Sequence, residues 1–545
     1  MEFLPAGDTL SCRRGLVRSS TAVRKTENAS ILMPGKPPDN RRSAQSLSSR
    51  PRDDDLSLRE PAERSVRWVL WCAAIVVAAA VLRFYASLGD FWLDEIWSWA
   101  LAGRLSSAAE ILTTLHHDNN HYLNTWFLYE IGPSAHWVLY RLPAVAAGVG
   151  TVVLGGLIAG RRGRLAAVTA MLLIAGSHLM IHYTSEARGY AWAMFFSLLS
   201  LWLMRRSLER NRPGTDFAFG LAAIGGFLGH LTYINCYLPL AIWSVGHDRK
   251  QHVLPKRFVA RLLRRHALPV LFMVWLYRVN IRQMLVGGGG TANVGGVILS
   301  ALSLTVGGPE FGPPSVVVGL IAFVAYLTCL RVLWKRGQVP GAVSLGIVVL
   351  VPGLLLIVTG RDILYPRYFL VPSLFMLLLF ADGLSRLAHR GRPGRVAYGI
   401  LLTGLLAGNA VQTARLIRFG RGGYQDALRL MAERTAGPTV TVGSDHDFRN
   451  GLVIAFYRIH MPEFSDSPGP NTKRLLYVPL NRWPQNGPEW FLRHSQEPGV
   501  HPKQTITDGA DNHYDLIRVF PYAGLSGWNW MLYHNRNRSM FPSRT

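Results

Sequence analysis

Long apolar stretches recur through most of this chain, and they constrain its fold more than any other feature. Stretches of about 18–24 residues follow one another from Arg67 to about Leu416, and each is long enough to cross a hydrocarbon layer of roughly 30 Å as a helix. Mean hydropathy is positive, at +0.17, which argues against an ordinary soluble protein of this length. The sequence therefore predicts an all-α polytopic membrane protein.

The first predicted span runs from about Trp68 to Leu88. Further spans are predicted near 137–160, 164–183, 187–205, 216–231, 233–246, 267–286, 313–334, 341–359, 367–386 and 396–414. Two shorter segments, 120–132 and 293–308, are either additional spans or helices that lie in the membrane interface. The expected total is about 11–13 transmembrane helices.

The charge balance fits a membrane protein better than a nucleic-acid-binding one. Lys and Arg outnumber Asp and Glu by 58 to 33, a net charge of +25, but many of these cations lie in loops between apolar spans. The positive-inside rule and anionic lipid headgroups account for that placement, so no nucleic acid is expected as a partner. If the basic loops face the cytoplasm, the N-terminus is cytoplasmic and the region after about Leu416 is extracytoplasmic. The predicted location is the plasma membrane.

Three regions follow from composition. Residues 1–66 are rich in Arg, Ser, Pro and Asp and are predicted to form a disordered basic cytoplasmic tail, which is either a regulatory arm or, if Met33 is the true initiator, partly untranslated. Residues 67–420 form the membrane domain, with a first outer loop at 89–136. Residues 421–545 are predicted to form a small extracytoplasmic α/β domain, with helices at Tyr424–Ala432 and Phe448–His460 and strands at Thr439–Val442, Leu475–Val478 and Tyr514–Phe520.

Two adjacent carboxylates, Asp94 and Glu95, open the first outer loop directly after the first span. Acidic residues so close to hydrocarbon are costly and are kept mainly for chemistry or for neutralising a partner. A catalytic role would be that of a general base that takes a proton from an attacking hydroxyl or amine. The alternative is a helix-capping or salt-bridging pair. Because neighbouring residues on a helix point about 100° apart, the two carboxylates are not expected to share one task.

The same loop continues with a dense polar cluster, in which His117, Asp118, Asn120 and His121 are predicted to bind substrate. Hydrogen bonding to an acceptor or a headgroup is the favoured role. The alternative is a divalent cation held by the two histidines and Asp118, since the histidines have helical i, i+4 spacing. No established metal motif is present, so no metal site is assigned and the cofactor is left open.

Two later segments complete the candidate site. Glu186, Arg188 and Tyr190 precede one span, and Arg367 and Tyr368 begin another. All five are predicted to bind substrate. Glu186 and Arg188 would otherwise pair with each other at the surface, and the guanidinium at position 367 would otherwise snorkel to the interface. A guanidinium in that place is also suited to gripping a phosphate with two hydrogen bonds.

Taken in order, four motifs resemble those of the GT-C-fold glycosyltransferases that use polyprenyl-phosphate sugars. The closest likeness is to the bacterial branch related to protein O-mannosyltransferases and to the aminoarabinose transferase of lipid A. The motifs are F-W-L-D-E and D-N-N-H-Y-L-N-T in the first outer loop, Y-T-S-E-A-R-G-Y-A at a helix start and P-R-Y-F-L-V-P at a late span. The resemblance covers about residues 65–420.

The resemblance implies an integral membrane glycosyltransferase that moves a hexose or pentose from a polyprenyl-phosphate donor to a glycolipid, polysaccharide or protein. It makes Asp94 the catalytic base with Glu95 beside it, places Glu186 and Arg188 in a second polar motif, and gives Arg367 the donor phosphate. The implied reaction is a single displacement with inversion at the anomeric carbon.

One departure from the family pattern concerns the first outer loop. Many relatives have His-Pro-Pro where this chain has Asn120-His121-Tyr122, which leaves the role of His121 open. The rival function is a multi-span transporter or lipid flippase. Such proteins place charges near the bilayer midplane, often with interrupted helices in an inverted repeat, whereas the notable charges here cluster at one face.

Overall fold

The computed structural model describes residues 66–133, 136–287, 293–335, 339–359, 364–497 and 499–540. The predicted N-terminal tail lies outside these ranges. So do residues 288–290 and 360–363, which follow the predicted spans 267–286 and 341–359.

The described part of the chain up to Phe419 is built of helices joined by short loops. They are α1 (Val66–Ala86), α2 (Leu93–Ala102), α3 (Glu110–Thr113), α4 (Tyr122–Ile131), α5 (Val138–Gly160), α6 (Arg164–Gly176), α7 (His178–Tyr183), α8 (Tyr190–Arg210), α9 (Pro213–Gly229), α10 (Ile234–Lys250), α11 (Pro255–Val279), α12 (Val294–Thr305), α13 (Gly312–Lys335), α14 (Val339–Leu345), α15 (Val351–Thr359), α16 (Leu370–Ala388) and α17 (Gly391–Phe419). A π-helical turn, Gly346–Leu350, joins α14 to α15, and a 3-10 turn, Pro366–Phe369, leads into α16.

Within the described residues, six helical stretches have the length and apolar composition of a membrane span: Val66–Ala86, Val138–Gly160, Gly312–Lys335, Gly341–Val358, Pro366–Ala388 and Gly391–Arg434. The chain is therefore a polytopic helical membrane protein, as predicted. The expected total of about 11–13 includes helices that do not meet this criterion, because they are shorter or carry more charge.

Three predicted spans differ from the helices observed. The span predicted at 164–183 is two helices, because the chain breaks at Ser177, whose hydroxyl accepts a hydrogen bond from the Met180 N–H at the start of α7. The shorter segments 120–132 and 293–308 form α4 and α12, of 10 and 12 residues. A helix of 12 residues spans about 18 Å, too short to cross the membrane alone.

The C-terminal region forms the predicted small α/β domain. Its elements are α18 (Tyr424–Arg434), β1 (Thr439–Ser444), α19 (Asp447–His460), β2 (Arg474–Tyr477), β3 (Trp490–Ser495), β4 (Thr505–Thr507), β5 (His513–Phe520) and β6 (Asn529–Asn535). The strands form one mixed sheet in the order β2-β1-β3-β6-β5-β4. β1 is parallel to β2 and β3, and the remaining pairs are antiparallel. Strands β3, β4 and β6 were not predicted.

The C-terminal domain shares a hydrophobic core with the first outer loop. The ring of Phe91 lies 5.5 Å from that of Phe456, and the ring of Trp137 lies 5.7 Å from that of Tyr457. The Tyr457 hydroxyl accepts a hydrogen bond from the Phe91 N–H at 2.7 Å. Helix α2, which begins two residues after Phe91, is therefore fixed by the C-terminal domain as well as by the membrane helices.

Candidate active site

Helix α2 sets the directions of the two acidic residues. They occupy its first turn, where the helix dipole favours negative charge. The side chain of Asp94 keeps 17% of its surface exposed, whereas that of Glu95 is completely buried. The two carboxylates thus point into different surroundings, as expected from their helical spacing.

Asp94 lies where three distant segments of the chain meet. Arg188, from the loop before α8, forms an ion pair with the Asp94 carboxylate. Arg367, from the 3-10 turn before α16, places Nη1 3.5 Å from the same oxygen, Oδ2. The three side chains are between 4% and 17% exposed, so the cluster is largely shielded from water but still reachable. The structure therefore brings together three of the predicted site residues.

The Asp94 cluster has more positive charge and more hydrogen-bond donors than its carboxylate uses. Two guanidinium groups face one carboxylate, which leaves one positive charge uncompensated within the trio. In the described structure, Nε of Arg188 and Nε of Arg367 are buried and have no hydrogen-bond partner. These two N–H groups can each donate a hydrogen bond to an anionic ligand.

Aromatic rings line the two arginines. The guanidinium carbon of Arg188 lies 5.5 Å from the ring centre of Tyr190, and that of Arg367 lies 5.9 Å from the ring centre of Tyr368. The ring of Tyr365 is closer still to Arg367, at 4.2 Å. Cation–π contacts of this kind hold a guanidinium plane in place without neutralising its charge. The predicted residues Tyr190 and Tyr368 are thus next to the cluster, and Tyr365 was missed.

Glu95 was predicted to act beside Asp94, but its carboxylate accepts hydrogen bonds from other groups of the protein. Its Oε1 accepts hydrogen bonds from Arg141 Nε at 2.8 Å and from the Ala187 N–H at 2.7 Å. Arg141, in α5, is also completely buried and pairs with the second carboxylate oxygen. Glu95 therefore ties α2 to α5 and to the residue that precedes Arg188.

Glu186, predicted to bind substrate, is also completely buried. Its Oε1 lies 2.9 Å from Arg421 Nε and 3.1 Å from His182 Nε2. The paired guanidinium and imidazole lower the pKa of the Glu186 carboxyl, although burial by itself would raise that pKa. The carboxylate is therefore ionised and engaged within the protein, two residues from Arg188.

Arg421 joins the membrane domain to the C-terminal domain, and sequence reasoning missed it. Besides Glu186, its guanidinium donates hydrogen bonds to the carbonyls of Ala86 at 3.1 Å and His182 at 2.9 Å. The Arg421 carbonyl in turn packs against Gly527, where an added Cβ would lie 1.7 Å from the carbonyl oxygen. An arginine just after the last span in a glycine-rich stretch looks solvated in sequence, and only the tertiary structure shows its burial.

His117 and Asp118 lie in the first outer loop, and Asp118 contacts Gly287. His117 Nδ1 is 3.0 Å from Asp118 Oδ1, and Asp118 Oδ2 accepts a hydrogen bond from the Gly287 N–H at 3.0 Å. Burial raises the pKa of the Asp118 carboxyl, but the His117 and Gly287 hydrogen bonds outweigh it, so that the pKa is lowered. Asp118 is 31% exposed and can accept hydrogen bonds from a ligand.

Asn120 and His121 are turned into the protein. The Asn120 amide donates to the carbonyls of Ile111 at 2.7 Å and Leu115 at 2.9 Å, so it braces its own loop. His121 Nδ1 accepts from the Gly189 N–H at 3.0 Å. Burial and the charges of the nearby Arg188 and Arg367 lower the pKa of His121 well below its usual range, so the ring is neutral.

The described residues do not assemble the metal site considered from the sequence. Among them, no group of three or more His, Cys, Asp and Glu side chains is placed to hold an ion. His117 and Asp118 are adjacent, but the third candidate, His121, uses Nδ1 for the Gly189 backbone.

Comparison with known proteins finds no matching family model and no matching curated protein. Among solved structures, the chain is similar to ArnT from Cupriavidus metallidurans in the apo state. That similarity covers 74% of this chain and 85% of ArnT, at 14% sequence identity and a TM-score of 0.44.

Proposed function

We propose that this protein is an integral membrane glycosyltransferase that moves a sugar from a polyprenyl-phosphate donor to an extracytoplasmic acceptor. The observation that carries the proposal is the meeting of Asp94 with two aromatic-lined, under-satisfied arginines, Arg188 and Arg367. In this proposal the end of the helical bundle that carries them is the extracytoplasmic face.

The unfilled guanidinium donors suit the phosphate of the donor. A phosphate monoester or diester presents several acceptor oxygens and negative charge, and arginine binds such groups through paired hydrogen bonds. Binding would complete the hydrogen bonding of Arg188 and Arg367 and neutralise the charge that Asp94 leaves over. The isoprenoid tail would remain among the apolar helices, while the sugar reaches the cluster.

Phosphate binding also gives Asp94 its role as base. Both arginines form ion pairs with the Asp94 carboxylate. Once a phosphate occupies the guanidinium groups, the carboxylate is freed to accept a proton from the acceptor. The order of events is therefore donor first and proton transfer second.

The chemical step is a single displacement. The acceptor oxygen or nitrogen forms a bond to the anomeric carbon, the bond from that carbon to the phosphate oxygen breaks, and its electron pair leaves with the phosphate. The acceptor proton passes to Asp94, and Arg188 and Arg367 stabilise the charge that grows on the leaving phosphate. Attack from the face opposite the leaving group inverts the anomeric configuration.

The remaining predicted residues divide between support and substrate contact. Glu95 and Glu186 position Asp94 and Arg188, because they are completely buried and form ion pairs with Arg141 and Arg421. Asp118 keeps an exposed carboxylate, so it is the member of the polar loop best placed to bind substrate. A glycolipid, a polysaccharide and a protein are all compatible with the acceptor.

The test is transfer of labelled sugar by the purified full-length protein in lipid nanodiscs. Polyprenyl-phosphate hexoses and pentoses are supplied with a bacterial membrane extract as the acceptor source. We expect wild-type protein and the control Asp466→Asn, whose carboxylate is 78% exposed, to transfer label, and Asp94→Asn not to. The product should have inverted configuration. Failure with every donor, or transfer by Asp94→Asn at the wild-type rate, would overturn the proposal.

A further inference from the structure

The accessible side of helix α2 continues from Asp94 towards the C-terminal domain. Both Asp94 and Trp97 are partly exposed, whereas Glu95, Ile96 and Ser98 are buried. Trp97 lies one turn beyond Asp94, about 4.5 Å further along the helix axis. A molecule that reaches the carboxylate therefore meets an aromatic ring next.

Trp97 meets an aromatic side chain of the other domain. Its ring centre is 4.9 Å from that of Phe448, at an interplanar angle of 72°. The ring centre of Trp97 also lies 4.4 Å from that of His117, the neighbour of Asp118. Trp97 of α2 thus links Phe448 of α19 to the loop residue that precedes the partly exposed Asp118.

Phe448 differs from the other aromatic residues by which α19 packs on α2. Phe456, two turns later, contacts Phe91 and Trp99 and is 2% exposed. Phe448 remains 48% exposed although it touches Trp97. The contact between α2 and α19 is therefore buried at Phe456 and exposed to solvent at Phe448. The exposed end is the one that contacts Trp97.

We propose that Trp97, Phe448 and Asp118 form a binding subsite for a sugar ring of the acceptor. A pyranose has one face of C–H groups that packs on aromatic rings and a rim of hydroxyls that donate hydrogen bonds to a carboxylate. Ligand sites commonly combine apolar and aromatic walls with a few placed polar groups of this kind. The subsite is shared between domains, so neither domain holds the acceptor alone.

Placing the acceptor here, and not the donor, rests on the proposed function. The donor phosphate is assigned to Arg188 and Arg367, whose donors are unfilled. Phe448 belongs to the C-terminal α/β domain, beyond the apolar helices that would hold an isoprenoid tail. The acceptor thus approaches Asp94 from the C-terminal domain and the donor from the membrane helices.

The first experiment measures sugar binding without donor or turnover. Saturation-transfer NMR is recorded on the full-length protein in nanodiscs with a panel of methyl hexosides and methyl pentosides. Wild type and the control Ile459→Ala, an exposed residue of the same helix (62%), should transfer saturation to the ring protons of at least one glycoside. Phe448→Ala should weaken that binding about three- to tenfold, as expected for losing one aromatic contact.

Conservative replacements guard against misfolding. Phe448→Trp keeps a ring and should retain binding, and Asp118→Asn should weaken it while leaving the aromatic contact in place. The subsite is refuted if no glycoside binds wild type, or if Phe448→Ala binds as tightly as Ile459→Ala.

The second experiment separates this inference from the proposed function. In the transfer assay, Phe448→Ala should raise the acceptor KM and leave the donor KM unchanged. If Asp94→Asn abolishes transfer while Phe448→Ala leaves the acceptor KM and the donor KM at their wild-type values, the proposed transferase activity is supported and the subsite is refuted. If glycosides bind through Phe448 but no donor supports transfer, the subsite is supported and the proposed transferase activity is refuted.

Discussion

Asp94 and Glu95 are adjacent in sequence, paired with arginine, and yet they lie in opposite kinds of site. Glu95 is completely buried with Arg141, and its carboxylate is filled by protein donors. Asp94 is partly exposed, and the two arginines beside it retain buried donors without partners. The hydrogen bonds of Glu95 are all made within the protein, whereas the arginines around Asp94 can still donate hydrogen bonds to a ligand.

The difference shows that an arginine–carboxylate pair does not by itself mark a catalytic site. Glu186 with Arg421 repeats the closed arrangement, in which both side chains are completely buried. Removing one partner of such a pair leaves the other charge buried and uncompensated, and this lowers the free energy of unfolding. At the open pair the same change should abolish turnover and cost less stability, because Asp94 is partly exposed.

The largest expected effect is on turnover at the open pair. Asp94→Asn keeps the side-chain shape but removes the base, so the rate of sugar transfer should fall by a factor on the order of 10²–10⁴. The thermal unfolding temperature in nanodiscs should fall less than in Glu95→Gln, because Asp94 is partly exposed whereas Glu95 is completely buried. An Asp94→Asn protein that loses its fold together with its activity would erase the contrast with Glu95.

The next largest effect is on stability at the closed pair. Glu95→Gln leaves the buried Arg141 without a counter-charge, so the free energy of unfolding should fall by about 3–5 kcal/mol. The measurement is chemical or thermal unfolding in nanodiscs, with the exposed Glu433→Gln as control. Wild-type stability with abolished transfer would instead make Glu95 a catalytic group, as the sequence suggested.

A smaller effect is expected where charge is kept and geometry is lost. Arg367→Lys retains the positive charge near Asp94 but removes the planar fork that binds phosphate through two hydrogen bonds. The donor KM should rise about tenfold, with little change in the acceptor KM. Arg474→Lys, on the exposed edge of β2, is the matched control. Equal donor KM values for the two variants would show that Arg367 does not bind the donor phosphate.

The last effect, which is seen only as a pH dependence, concerns a partly buried carboxylate outside both pairs. Glu310, before α13, accepts a hydrogen bond from the Leu525 N–H at 3.1 Å, and burial raises its pKa to about 7. Because this pKa is raised in the folded state, folding favours protonated Glu310. Protonated Glu310 therefore adds fully to the free energy of unfolding below about pH 4.5, and this contribution is lost as the pH rises through about 7. The loss is at most about 1.4 kcal/mol per pH unit.

Comparison with Glu310→Gln isolates that titration. The stability difference between wild type and the variant should change between pH 5 and 7 and be constant above about pH 8, measured by thermal unfolding in nanodiscs. A difference that does not vary with pH would mean that Glu310 does not titrate in this range.

The sequence predicted the open pair better than the closed ones, for a physical reason. Asp94, Arg188 and Arg367 each lie next to the end of an apolar stretch on the same predicted face, so the membrane itself restricts where they can meet. Arg141, by contrast, lies within α5 in the middle of apolar sequence, and nothing local indicates that Glu95 is its partner. The roles of all these residues remain predictions.

The C-terminal sheet was predicted in part for similar reasons. β5 and β1 carry the β-branched and aromatic residues typical of strands, and their positions were found. β6 is buried along its whole length, so it lacks the alternation that marks a half-exposed strand. β4 has only three residues, too few for any periodicity to be read.

The shared core of the first outer loop and the C-terminal domain has a consequence for biosynthesis. Helix α2 is made early, but Tyr457, Phe456 and Arg421, which fix its surroundings, are made only after the last membrane helix. Asp94 therefore cannot reach its final environment until nearly the whole chain has left the ribosome. Premature termination before Tyr457 would leave the membrane helices complete but Asp94 without these contacts to its surroundings.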